Sequence, residues 1–144
     1  TSTNPIAVGD EVEMQIEDVL EESAMIDTIC DRKNYVARVS PHNKHQHHII
    51  AANLDQSLLF ATLKDPKTSQ GFIDRFLITT EAYQIPAVLL FNKIDQYDDE
   101  DLAFLEEVIE LYEKIGYPCR KISALKLIGI AELKRISSKS TLSI

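Results

Sequence analysis

From Ile49 onward, short apolar runs alternate with amphipathic stretches, and few folds accept that pattern. The runs 57–63 (SLLFATL) and 87–91 (AVLLF) read as buried strands. Residues 64–69 are loop, and Phe72, Ile73, Phe76, Leu77, Thr80 and Tyr83 then recur at helical spacing until Pro86 closes the helix. A second helix is expected over 98–115. Its acidic start, Asp98-Asp99-Glu100-Asp101, suits the positive end of a helix dipole. Leu102, Leu105, Val108, Ile109 and Tyr112 form its apolar stripe, and Gly116 ends it. Residues 118–122 make a third strand and 129–136 a third helix. Strands alternating with helices imply an α/β domain with a mainly parallel sheet. In such sheets ligands bind at the carboxyl ends of the strands.

The first 39 residues have a different texture. Val8-Gly9-Asp10 is a turn signal, and 11–16 (EVEMQI) alternates as a half-buried strand does. Residues 24–29 and 34–39 are two more strand candidates. Three short strands cannot close a barrel or sandwich, so this stretch reads as part of a β module. Residues 40–48 (SPHNKHQHH) read as a polar linker holding all four histidines. Imidazoles are common metal ligands, but no regular element fixes these rings and no cysteine or carboxylate joins them, so a solvated linker is preferred. The domain plan is therefore 1–40, a linker 41–48, and 49–144.

Composition excludes several classes. With 144 residues, 44% hydrophobic and 26% charged, the chain is globular rather than disordered. The formal charge is −8, and the first 38 residues set nine acids against Arg32, Lys33 and Arg38, which disfavours binding a phosphate backbone through bulk charge. No apolar run approaches the roughly 20 residues of a membrane helix. No signal peptide opens the sequence. Two cysteines, Cys30 and Cys119, lie far apart without a CxxC, which excludes a disulfide framework and a four-cysteine zinc site and fits a reducing cytoplasm.

Asn92-Lys93-Ile94-Asp95 follows the strand 87–91 directly, where a ligand belongs. NKxD is the guanine-reading motif of GTPases. A carboxylate at Asp95 accepts from both N1–H and the 2-amino group of guanine. Adenine offers neither donor there and would leave the carboxylate unpaired. The Asn92 amide can tie the base-binding loops together, and the Lys93 stem can lie over the purine. Ser123-Ala124-Leu125 follows the next strand, as an SA[KL] loop does in GTPases, with the Ala124 N–H expected to meet guanine O6. Each segment alone also suits an ordinary turn. Their order and spacing together favour the base site.

A phosphate loop, GxxxxGK[ST], is missing ahead of Asn92, where only Gly9 and Gly71 occur. The nearest trace is Ser138-Lys139-Ser140, after the SAL loop and without its glycines; Lys139 would hold phosphate and Ser140 would ligate Mg²⁺. A basic serine-rich tail is the plainer reading of these residues. Base loops first and phosphate loop last is a circularly permuted order. With 4–10 (NPIAVGD), 31–35 (DRKNY), 50–56 (IAANLDQ), 72–77 (FIDRFL), NKID, 115–118 (IGYP) and SAL, the chain resembles the ribosome small-subunit-dependent GTPase A (RsgA/YjeQ) family. The resemblance implies a partial OB-fold β-barrel over 1–40 and an incomplete, circularly permuted P-loop GTPase domain over 49–144, with its first strand at 50–56. The family's first OB strands, switch regions, DxxG loop and zinc domain have no counterpart in these residues, and its SGxSGVGKS loop is reduced to Ser138-Lys139-Ser140, so the sequence reads as incomplete: either mobile segments are left out of it, the preferred reading, or it is a piece of a longer protein.

The resemblance further implies a cytoplasmic, monomeric factor that binds GTP or GDP with Mg²⁺, carries Zn²⁺ only in a C-terminal domain, and hydrolyses GTP during maturation of the small ribosomal subunit, touching its rRNA. Asn92, Lys93, Asp95, Ser123 and Ala124 would bind the base, with Lys139 and Ser140 on the phosphate side. No catalytic base is identifiable, and these 144 residues alone are expected not to hydrolyse GTP. The competing readings are a non-catalytic RNA- or protein-binding module on the same scaffold and, more weakly, an unrelated flavodoxin-like domain.

Overall fold

All five residues of the strand Ala87–Phe91 are buried, which a strand achieves only with neighbours on both edges and cover on both faces. The computed structural model describes residues 6–18, 23–39, 47–137 and 142–143. They divide into two compact units, Thr1–Leu54 and Asp55–Ile144.

In the first unit, β1 (Val12–Asp18) pairs antiparallel with β2 (Ser23–Ile29), and β3 (Tyr35–Val39) pairs antiparallel with β4 (His47–Ala52). The three expected strands are present, but β1 is not half-buried: Met14 and Ile16 are 62% and 73% exposed. The fourth strand departs from the domain plan. His47 and His48, read as linker, begin β4, and 50–52, read as the start of the second domain, pair back onto β3. HHIIAA has no two-residue alternation, so its partner and not its own pattern makes it a strand. His42 and His45 lie outside the described residues.

Polar side chains knit this unit. Asn34, 7% exposed, donates to the Leu54 carbonyl (2.8 Å) and accepts from the Leu54 N–H (2.7 Å). Asn53 donates to the Gly9 carbonyl at 2.9 Å. Arg32 grips Asp10 with two bonds, Nε to Oδ1 at 2.6 Å and Nη2 to Oδ2 at 2.7 Å, while the Ala7 N–H donates to Oδ2 at 2.8 Å. The Arg32 hydrogen bonds outweigh burial and hold the Asp10 carboxyl down at about 2. A carboxyl lowered by folding stabilises fully above its unfolded value, near ~3.9, and loses that contribution as pH falls towards the folded value. Urea unfolding between pH 4 and 2 is therefore expected to show a steeper loss of stability for the unmodified protein than for Asp10→Asn. Equal slopes would mean the pair does not set the acid limb.

The second unit holds a four-stranded parallel sheet in the order β7–β6–β5–β8: Cys119–Lys121, Ala87–Phe91, Gln56–Ala61 and Leu142–Ser143. The period-two pattern of the strands separates two cores. Leu59, Leu89 and Phe91 pack with Ile73 and Leu77 of α1 (Gln70–Ala82) and with Leu105, Val108 and Tyr112 of α2 (Asp99–Lys114). Leu58, Val88, Leu90 and Ile122 face the other way, onto Leu133 of α3 (Ile130–Ser137). Both long helices start on side-chain caps. The Ser69 oxygen accepts from the Phe72 N–H, and Asp98 and Asp101 form a reciprocal capping box. Cys119 is buried with a free thiol, and Cys30 is also free.

Segment β8 lies at the edge of the sheet beside β5. It runs parallel to β5, with Gln56 opposite Leu142 and Ser57 opposite Ser143. Lys139 and Ser140 lie outside the described residues. NKID and SAL follow the carboxyl ends of their strands. A loop sharing a ligand with them belongs after β8, not before it.

Candidate functional site

Two loops leave the carboxyl edge of this sheet and meet. Asn92–Asp95 follows β6 at once, and Ser123-Ala124 follows β7 after Ile122. The parallel ladder aligns them: the Ile122 N–H donates to the Phe91 carbonyl (2.8 Å) and the Ile94 N–H to the Ile122 carbonyl (3.3 Å).

Five residues expected from the sequence are brought together here. Ser123, wholly buried, donates from Oγ to Asp95 Oδ1, while Oγ accepts from the Lys126 N–H at 3.0 Å. A hydroxyl that accepts a backbone N–H has its own hydrogen free to aim at the carboxylate, so Ser123 orients Asp95. Asn92 Oδ1 accepts from the Ala124 N–H at 3.1 Å, which links the two loops. That N–H was expected to face a base oxygen; here it is engaged with Asn92. Lys93 takes a left-handed conformation (φ 66°) and opens a single 3-10 turn, Ile94–Gln96. The turn sets Lys93 and Asp95 on one short bend, and the Lys93 Nζ donates to the Asp65 carbonyl in the loop after β5. Asp95 is half-buried and keeps acceptor capacity beyond its bond to Ser123.

The Ser123–Ile128 turn is closed at both ends: Ser123 N–H donates to the Ile128 carbonyl (3.1 Å) and Ile128 N–H to the Ser123 carbonyl (3.0 Å). Gly129 (φ +73°) follows, and a Cβ there would lie 2.8 Å from Ile122 Cγ2 and 2.9 Å from the Lys121 carbonyl, so the exit to α3 demands glycine.

Sequence reasoning missed Tyr97. Its ring is part of the core and its hydroxyl joins the segments that follow β5 and β6, accepting from the Leu63 N–H (2.8 Å) and donating to the Asn92 carbonyl (2.8 Å). Burial pushes this hydroxyl above the usual tyrosine range, so it stays a donor at neutral pH. A tyrosine two residues past a motif carries no local signal of that bridge. A separate, largely apolar cleft of about 230 Å³, lined by Leu63, Ile73, Phe91 and Phe104 among others, contains none of the motif residues.

A family model described as RsgA GTPase matches residues 29–144. A protein of Phocaeicola vulgatus named small ribosomal subunit biogenesis GTPase RsgA is 51% identical over 142 residues, 98% of this chain and 45% of that protein. A protein of the same name from Bacteroides fragilis is 50% identical over 133 residues, 92% of this chain and 42% of its own length. Among solved structures, YjeQ from Thermotoga maritima superposes with a TM-score of 0.78 at 35% identity, covering 94% of this chain and 44% of its own. YloQ, described as a circularly permuted GTPase, gives 0.71 at 26%, covering 94% and 43%. The chain thus spans less than half the length of each of these proteins.

Proposed function

We propose, from the premise that this chain belongs to the RsgA GTPase family, that the intact protein binds guanine nucleotide and hydrolyses GTP in small ribosomal subunit maturation. The observation that supports this best is the meeting of Asp95, Ser123, Asn92 and Ala124 at the carboxyl edge of β6 and β7. In this reading Asp95 accepts from N1–H and the 2-amino group of guanine while Ser123 holds its carboxylate. Asn92 keeps the two loops in register, with the Ala124 backbone beside the base, and the Lys93 stem covers the purine face. Residues 1–40 are read as part of an OB fold and the second unit as part of a circularly permuted GTPase domain. The small subunit and its rRNA are the partners, in the cytoplasm, and the protein acts as a monomer.

The phosphates are assigned to a loop after β8, and Lys139 and Ser140 are withdrawn from that role because they precede the strand. Mg²⁺ bound with the nucleotide would take its ligands from that loop, since among the described residues no group of three or more His, Cys, Asp or Glu could hold a metal ion. Zn²⁺ is placed only in a C-terminal domain of the intact protein.

The test is GTP turnover by the full-length protein with and without purified small ribosomal subunits, using ATP as the competing substrate. Stimulated hydrolysis with a preference for GTP of about a hundredfold or more is expected. Turnover that ignores the base, or no turnover even with subunits present, would leave the non-catalytic module as the better reading.

A further inference from the structure

The ladder between β5 and β6 ends abnormally. The Asn92 N–H donates to the Ala61 carbonyl at 2.8 Å, the last ordinary rung. In a parallel pair the next rung would run from the Leu63 N–H to the Asn92 carbonyl. Instead the Tyr97 hydroxyl is spliced between those two groups, 2.8 Å from each. The strands are thereby held apart by one oxygen atom where they become loops.

Both loops that part there carry contacts of the base site. The β6 loop holds Asn92, which reaches Ala124, and Lys93, whose Nζ crosses to the Asp65 carbonyl on the β5 loop, two residues past Leu63. Their separation therefore sets where the Lys93 stem lies and where Asn92 directs its amide. A second contact anchors the ring: the Lys64 ammonium lies 5.9 Å from the Tyr97 ring centroid and pairs with Asp101 at the start of α2. We infer that Tyr97 is a positioning residue of the guanine site, its hydroxyl acting as a spacer that sets the β5 and β6 loops at the distance the base requires. The inference rests on the guanine reading above.

Tyr97→Phe in the full-length protein tests it, with Tyr112→Phe as the comparison. Tyr112 is equally a core tyrosine, and its hydroxyl donates to Asp74 Oδ1 at 2.9 Å, away from both loops. Tyr97→Phe is expected to weaken GDP binding about five- to tenfold, through faster release, and to narrow the preference for GDP over inosine diphosphate, while Tyr112→Phe stays within about twofold of the unmodified protein. GDP affinity unchanged in Tyr97→Phe, or equal losses in both variants, would overturn the spacer role. Hydrogen exchange at the Leu63 amide of the unmodified protein needs no variant to fold. Protection like that of β5 amides is expected, and exchange at the rate of an open loop would overturn the bridge. If the unmodified protein does not prefer GDP to ADP, the guanine reading itself fails and takes this inference with it; a clear preference with an indifferent Tyr97→Phe refutes the inference alone.

Discussion

Asp95→Asn in the full-length protein is expected to lower affinity for GDP by a hundred- to a thousandfold and to raise affinity for xanthosine diphosphate above it. The carboxylate presents only acceptors, and guanine presents two donors, N1–H and the 2-amino group. An asparagine turns one of those acceptors into an N–H donor facing a donor. The charge-assisted hydrogen bond so lost is worth about 1.5–3 kcal/mol, and the donor left facing a donor costs about 1–3 kcal/mol more; with about 1.4 kcal/mol to a factor of ten, a combined loss of about 3–4 kcal/mol gives the stated range. Xanthine carries a carbonyl where guanine carries the amino group, so the same amide meets a matching acceptor. Ser123 is not disturbed, because its hydroxyl can still donate to the remaining Oδ1 of an asparagine, so the loop's shape is kept. Equilibrium binding of fluorescent GDP and xanthosine diphosphate analogues measures both arms. An unchanged GDP affinity would remove Asp95 from base reading and favour the binding-module alternative.

Gly9→Ala is expected to destabilise the first unit by about 3 kcal/mol or more. Gly9 sits at φ +90°, and a Cβ there would come 2.1 Å from the Ala52 carbonyl oxygen. That oxygen is backbone and cannot rotate away. Ala52 is wholly buried and its N–H donates to the Val8 carbonyl at 2.9 Å, so any relief breaks the contact between residues 8–9 and β4. Gly71→Ala is the counter-case. Gly71 lies in α1, its added Cβ meets only the movable Arg75 Nη1 at 3.4 Å, and alanine suits a helix better by about 0.5–1 kcal/mol. Denaturant unfolding with hydrogen exchange at Ala52 and Asn53 separates the two. A Gly9→Ala protein with unaltered midpoint and unaltered protection would show that residues 8–9 are not packed as described.

Much of the second unit was legible because its signals are local. The run 87–91 is apolar throughout and became the fully buried β6. The helix expected over 98–115 is α2, Asp99–Lys114, its Asp98 cap and Gly116 end being written in adjacent residues. NKID and SAL were placed beside one another by reading them as successive strand-end loops, and the ladder brings them together. Other elements escaped. β4 has no alternation of its own, and β8 is two residues long, too short for any pattern to show. The tail is therefore legible only by its Lys-Ser composition, and Lys139 and Ser140 lie outside the described residues.

Side-chain chemistry and short-range periodicity determined, from the sequence alone, the strands and helices of the α/β unit apart from β8, and they single out Asp95 as the carboxylate proposed to read a base. Tertiary structure alone decided that Ser123 orients Asp95, that Asn92 binds the neighbouring loop, that β4 returns to β3, and that Tyr97 stands in for a missing rung. The reason is common to all four. They depend on backbone N–H and carbonyl groups and on pairs distant in sequence, 28 to 34 residues for Asp95–Ser123, Asn92–Ala124 and Leu63–Tyr97. Every residue but proline carries the same backbone groups, so their pairing leaves no mark on the residues that make it.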